Sequence, residues 1–211
     1  MKYSEVSVQT FNKFAKEYQD KYMDYALYTV TYDNLIEYLP TNKTLSVLEL
    51  GCGPANISNY LIKKDLSIDV FGIDLAPNMI QLAKENIPSG HFEIMDCREI
   101  SCIKQKFELI ICGFCTPYLS KMESKKLIQD TRNLLDDGGL LYLSAIVGNE
   151  SLSGYQESST GDRVYIHYHN DEFIADNLKE SGFEVLDIEH KIFHREGHDP
   201  VTEMFIYAKA I

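Results

Sequence analysis

Val47-Leu48-Glu49-Leu50-Gly51-Cys52-Gly53-Pro54-Ala55 decides the fold of this chain. The apolar run from Leu45 to Leu50 reads as a buried strand that stops at a glycine-rich turn. Glycine lets the backbone turn tightly and lets a ligand approach it closely. A helix is expected from about Asn56 to Lys64, and its first N–H groups are unpaired donors. Glu49 is an acid at the buried end of the strand, two residues before Gly51.

Working outward, the same alternation recurs. Ile68 to Ile73 is a second strand, ending at Asp74, and Pro77 suits the first turn of a helix running to Asn86. His91 to Met95 is a short third strand, ending at Asp96, and Phe107 to Cys112 is a fourth. Ser120 and Glu123 have capping-box spacing, and the helix they open runs to Leu135. Asp137-Gly138-Gly139 then turns the chain into a fifth strand, Leu140 to Val147. Strands alternating with helices argue a doubly wound α/β fold, a parallel sheet covered on both faces.

The flanks differ. From Phe11 to Tyr38 the pattern is helical, with Phe11, Tyr18, Tyr25 and Tyr32 repeating every seven residues. This reads as an amphipathic helix with room for a break near Gln19-Asp20. Its aromatic face is either a core contact or a lid over a ligand. Gly148 to Arg163 is rich in Gly and Ser and reads as a long surface loop, of the kind that often carries function. Asn170 caps a helix to Ser181. Phe183 to Phe193 and Thr202 to Ala210 read as a hairpin across Arg195 to Pro200, so the last strand should be antiparallel.

Composition bounds the function. A chain of 211 residues suits one large domain, here divided into segments 1–40, 41–147, 148–169 and 170–211. Its formal net charge of −12 disfavours nucleic acid and anionic membrane surfaces as partners. No apolar segment follows Met1 and none is long enough to span a bilayer, so neither a signal peptide nor a membrane helix is expected. Five cysteines, an odd number, fit reduced thiols in a cytoplasmic protein better than a disulfide framework.

Glu49, Asp74 and Asp96 all fall at carboxyl ends of neighbouring strands, where open α/β sheets bind ligands. Asp74 can accept both hydroxyls of a ribose, and Asp96 the amino group of an adenine. A nicotinamide dinucleotide competes for this reading, but its fingerprint needs a third glycine where this chain has Asn56. An acid-rich rim also gives nothing to a pyrophosphate. It is compatible with a cationic sulfonium, which favours S-adenosylmethionine.

On these residues the sequence resembles the class I S-adenosylmethionine-dependent methyltransferases. Glu49-Leu50-Gly51-Cys52-Gly53 is similar to their motif I, and Gly72-Ile73-Asp74-Leu75-Ala76-Pro77-Asn78-Met79 to the following motif. Phe92 to Cys97 is similar to motif II, Phe107 to Cys112 to motif IV, and Leu134 to Gly139 to the turn before strand five. Ala55 departs from the family, which often has a glycine there. The resemblance implies a seven-stranded Rossmann-like sheet ordered 3-2-1-4-5-7-6, with N-terminal helices over the cofactor. It implies cofactor contacts at Tyr18, Glu49, Gly51, Gly53, Ala55, Asp74, Leu75, Met79, Asp96, Cys97 and Gly113. The expected activity is methyl transfer to a small molecule. A nicotinamide-dependent oxidoreductase and a non-catalytic cofactor-binding module are the alternatives.

The acceptor side is less defined. Phe114 to Tyr118, the loop Gly148 to Arg163 and the stretch bearing Tyr165, His167 and His169 follow the ends of strands four and five. Period two puts the last three side chains on one face, as either a substrate wall or the polar face of an edge strand. His167 and His169 titrate closest to neutrality and are the candidate bases, with Tyr118 behind them. Gly113-Phe114-Cys115 stands where amino-directed nucleic-acid methyltransferases carry Asn or Asp before two prolines, which also counts against nucleic acid. Cys112 and Cys115 lack a second pair at zinc spacing, so no metal is expected. His190, His194 and His198 would lie about 13 Å apart along a strand, too far to share a metal.

Overall fold

A computed structural model describes residues 3–157, 161–194 and 200–211. β1 (Leu45–Leu50) is buried along nearly its whole length, as its unbroken apolar run requires. It lies inside a seven-stranded sheet. β2 (Ile68–Asp74) and β4 (Phe107–Cys112) pair with it in parallel on either side. β3 (His91–Ile94) extends the sheet beyond β2, and β5 (Leu135–Val147) beyond β4, both in parallel. β9 (Val201–Ala210) runs antiparallel between β5 and β8 (Phe183–Phe193). The sheet order is β3-β2-β1-β4-β5-β9-β8. β6 (Gly154–Glu157) and β7 (Arg163–Ile166) pair separately, so counted within the large sheet this is the expected 3-2-1-4-5-7-6 with its last strand antiparallel.

Because side chains alternate along a buried strand, each strand feeds two cores. On one face Leu48, Leu50, Ile110 and Leu141 pack against Leu127 and Ile128 of α6 (Lys121–Leu134) and Ile174 and Leu178 of α7 (Asp171–Glu180). On the other, Val47, Leu109, Tyr142 and Phe205 meet Tyr28, Tyr32 and Leu35 of α3 (Ala26–Glu37) and Ile57 and Leu61 of α4 (Asn56–Lys63). The phenols buried here keep partners: the Tyr142 hydroxyl lies 2.7 Å from Thr31 Oγ1, and the Tyr207 hydroxyl donates to the Thr31 carbonyl at 2.9 Å. The remaining sheet helix, α5 (Pro77–Asn86), covers β2 and β3.

Three expectations change. The N-terminal region is three helices, α1 (Tyr3–Lys13), α2 (Ala15–Tyr22) and α3, with breaks at Phe14 and at Met23 to Tyr25. Gln19-Asp20, where a break was expected, lies inside α2. The segment read as a surface loop carries β6 and ends at the first residue of β7, its hairpin partner; residues 158–160 between them lie outside the described set. β5 begins at Leu135 rather than Leu140: Leu135 pairs with Phe107 and Leu140 with Leu109, so residues 136–139 bulge. Most of the turn expected between β8 and β9 falls on residues 195–199, outside the described ones.

α1 is clasped to the hairpin. Thr10 Oγ1 donates to the Arg163 carbonyl at 2.7 Å, the Tyr165 N–H donates to Ser7 Oγ at 3.0 Å, and Lys13 pairs with Asp162 at 2.8 Å. Among the described residues no helix is long and apolar enough to cross a membrane.

The capping box forms as the sequence predicts, with the Glu123 N–H reaching Ser120 Oγ and the Ser120 N–H reaching the Glu123 carboxylate. Ser120→Ala should therefore cost about 1 kcal/mol. In a chain of this size that lowers the thermal midpoint by about 2–4 °C, readable by calorimetry.

Candidate active site

Three consecutive odd positions between β1 and α4 hold left-handed backbone: Gly51 at φ +59°, Gly53 at +53° and Ala55 at +60°. A Cβ on Gly51 would approach Cys115 Sγ at 3.5 Å, and one on Gly53 the Tyr18 ring at 3.8 Å. Ala55 adopts the same conformation at a cost of about 1–2 kcal/mol, with its methyl fully buried away from the cavity.

The three acids have different roles. Asp74, at the end of β2, accepts the Gly53 N–H through Oδ2 at 3.0 Å and the Ala76 N–H through Oδ1 at 2.8 Å. A carboxylate has about four acceptor positions, so these bonds do not exhaust it. Glu49 is 2% exposed and turns away from the cavity, accepting the N–H and hydroxyl of Ser58 in α4. Burial pushes its carboxyl up to about 7. Asp96 is gripped by Arg98, whose backbone N–H, Nε and Nη2 all donate to it. Arg98 also reaches Glu123 at 3.0 Å. An adenine amino group would have to share Asp96 with this guanidinium.

A first cavity opens over the glycine turn. Gly51 and Gly53 form its floor. Asp74, Leu75 and Met79 line the β2 side, Asp96 and Cys97 the β3 side, and Tyr18 and Gly113 the far wall. Of the cofactor contacts expected from sequence, Glu49 and Ala55 are the two that do not border it.

A second cavity adjoins the first between α1–α3 and the hairpin. Its walls are aromatic: Phe14, Tyr22, Tyr28, Tyr155, Tyr168 and Phe193 contribute. Phe11, Tyr18, Phe114 and Tyr118 border both cavities. Phe114 sits at φ +53°, a strained conformation for a bulky residue, and its N–H is fixed by Ser144 Oγ at 2.7 Å.

His167 and His169 are not among the residues lining either cavity; Val164, Ile166 and Tyr168, on the opposite face of the same stretch, line the second. His169 is 1% exposed, and its Nε2 lies 3.1 Å from the carbonyls of both Thr116 and Leu119. It staples the hairpin to the turn before α6. Burial holds the pKa of both histidines below the usual value. His167 and His169 thus face away from both cavities, whereas Tyr118 borders both and Glu203, an acid without a sequence signal of the strand-end kind, lines the second. This residue of β9 is 3% exposed, lines the second cavity and accepts the Tyr28 hydroxyl through Oε1 at 3.1 Å. Its Oε2 is buried with no hydrogen-bond partner, and burial pushes the carboxyl up to about 7. The signal was an acid directly before the apolar run Met204 to Ala208.

Of the five thiols, Cys52, Cys112 and Cys115 are buried, Cys97 is half-buried and Cys102 is exposed. Cys97 and Cys115 Sγ lie 3.3 Å apart, both pushed well above the ordinary thiol pKa, chiefly by hydrogen bonding among the cysteines. No group of three metal-ligating side chains exists among the described residues. His190 is exposed and pairs with Asp171 at 3.0 Å, His194 is exposed, and His198 lies outside the described residues.

Comparison with known proteins agrees with this architecture. Residues 47–139 match the family model described as a methyltransferase domain. A malonyl-[acyl-carrier protein] O-methyltransferase of Priestia megaterium is 30% identical over 139 residues, 63% of this chain and 48% of that protein. An S-adenosylmethionine-dependent methyltransferase from Clostridium acetobutylicum superposes with a TM-score of 0.72 at 18% identity, covering 95% of this chain and 98% of its own. Magnesium protoporphyrin IX methyltransferase from Synechocystis, solved with bound S-adenosylmethionine, gives 0.70 at 16% identity, covering 100% and 98%. The chain spans about half the length of the curated relatives it matches, 42%, 45% and 48%. Residues 47–139 thus match a methyltransferase domain, and the chain has the fold of S-adenosylmethionine-dependent methyltransferases.

The residues present fit that cofactor. Asp74 has acceptor capacity left for a diol, and the Gly51–Gly53 floor is open to close approach. Arg98, the one cationic side chain lining the first cavity among the described residues, is engaged by Asp96 and Glu123. A sulfonium suits such a surface and a pyrophosphate does not.

Glu49 makes a pH signature. The folded chain binds its proton more tightly than the unfolded chain, whose value is the ordinary 4.5. Its stabilising contribution is complete below pH 4.5 and is lost as pH rises through about 7. Glu49→Gln removes that loss. Relative to wild type it should gain about 3 kcal/mol between pH 5 and pH 8, measured by urea unfolding at both.

Proposed function

We propose that the chain transfers the methyl group of S-adenosylmethionine to a small molecule held in the second, aromatic cavity. The observation that carries this reading is the adjacency of the two cavities across the shared wall of Phe11, Tyr18, Phe114 and Tyr118. When bound, S-adenosylmethionine supplies an electrophilic methyl on a sulfonium whose leaving group is a neutral thioether.

The protein's part is to bind, orient and exclude water. Asp74 accepts the ribose hydroxyls, and Gly51 and Gly53 let the cofactor lie against the backbone. Leu75 and Met79 supply apolar surface to the adenosine, with Asp96 and Cys97 at its far end. Tyr18 and Gly113 border the methionine end, next to the second cavity. Two reactants held in line and out of water need little further help, since positioning alone supplies much of such a barrier's reduction. α1 and α2 act as a lid, held shut by the clasp to the hairpin.

Calorimetry with S-adenosylmethionine tests the assignment. Asp74→Asn should weaken binding between about tenfold and a hundredfold, because hydrogen bonds to a charged acceptor contribute about 1.5–3 kcal/mol. Unchanged affinity in a folded variant would overturn it. The lid has its own readout: proteolysis at Gln19 to Asp24 should slow when S-adenosylhomocysteine is added, and equal cleavage with and without ligand would leave these helices as simple core elements.

A further inference from the structure

Resting on that methyl-transfer reading, we infer that the acceptor is an amine and that the Glu203 carboxylate receives its nitrogen. The second cavity combines two features that together suit a cation. The first is its aromatic wall. Tyr28, one of its lining residues, has ring centroids of Phe114 at 4.9 Å and Phe193 at 6.3 Å around it, and Tyr18 and Tyr22 of the same wall stand 4.8 Å apart. Ring faces attract cations and offer nothing comparable to an anion.

The second feature is the acid. Glu203 lines this cavity, is 3% exposed, and has one oxygen held by Tyr28 and one without a partner. A buried carboxylate with a spare oxygen is costly unless something pairs with it. Its cross-strand neighbour on β8, Lys191, does not, because Lys191 Nζ is bonded to Glu189 at 3.1 Å. Of the other acids lining the cavity, Asp162 is paired with Lys13 and Glu157 adds negative charge, and no Lys, Arg or His is among its described lining residues. A carboxylate or phosphate acceptor would be repelled and would find no counter-charge.

The chemistry balances. A bound ammonium gives one N–H proton to Glu203, leaving a neutral amine and a neutral carboxylic acid. The nitrogen lone pair forms the N–C bond to the methyl carbon as the C–S bond breaks, and that bond's electron pair stays on sulfur. The product leaves as the methylated ammonium, and Glu203 returns its proton to water. Burial, which lifts this carboxyl to about 7, makes both of its protonation states accessible near neutral pH.

The test is calorimetry on the full chain saturated with S-adenosylhomocysteine. The probes are an amine, an alcohol and a carboxylate on each of two skeletons, 2-phenylethyl and n-hexyl. Wild type should bind the amine at least tenfold more tightly than the alcohol on at least one skeleton, and the carboxylate most weakly. Glu203→Gln should reduce the amine preference below threefold while leaving alcohol and S-adenosylhomocysteine affinities unchanged. An alcohol or carboxylate bound as tightly as the amine, no probe bound at all, or an amine preference surviving in Glu203→Gln would each overturn the inference. The wild-type comparison decides the matter even if the variant does not fold. Absence of S-adenosylhomocysteine binding to wild type would instead overturn the methyl-transfer reading beneath it.

Discussion

The Asp74 carboxylate ties two strand ends together, and the site is built around that tie. One oxygen receives the Gly53 N–H from the turn after β1, and the other receives the Ala76 N–H from the turn before α5. The first bond fixes a backbone that Gly51, Gly53 and Ala55 hold in left-handed conformations. The second fixes the start of the helix that carries Met79 to the cavity. Both bonds draw on backbone donors, so the carboxylate is positioned by the sheet itself and keeps acceptor capacity facing outward.

Glu49 shows the opposite use of an acid at a strand end. Its position two residues before Gly51 puts it in line with Asp74 and Asp96, but its side chain goes down into the protein to α4. There it caps donors that a helix start leaves unpaired, a structural role that needs no ligand. Asp96 is intermediate: it borders the cavity, yet Arg98 has most of its lone pairs.

The central fold was legible because each buried strand is an apolar run closed by glycine or an acid, and α5, α6 and α7 each have a cap or a proline at the start. Ser120, Pro77 and Asn170 all sit where such signals place them. The N-terminal breaks were not legible, since neither Phe14 nor Met23 to Tyr25 carries glycine or proline; packing sets them. The β6–β7 hairpin was hidden because half-exposed polar strands such as Gly154–Glu157 lack hydrophobic periodicity. Alternation correctly grouped Tyr165, His167 and His169 on one face. It carries no information about which face meets the cavity, and Val164, Ile166 and Tyr168 do. Glu203 carries no strand-end signal, because it does not close a strand but is buried near the start of β9.

The wall shared by the two cavities has a thermodynamic consequence. Phe11, Tyr18, Phe114 and Tyr118 cannot shift to fit one occupant without reshaping the space for the other. The edge contact of Phe11 with Tyr118, at 5.1 Å between centroids, runs directly across that boundary. On the proposed methyl-transfer reading, an occupant of one cavity would change affinity in the other, and linkage would make the effect equal in both directions. Ordering this wall once, for whichever molecule arrived first, would reduce the conformational entropy the second must forfeit. Coupling of donor and acceptor would then rest on four aromatic side chains, without any movement of the sheet.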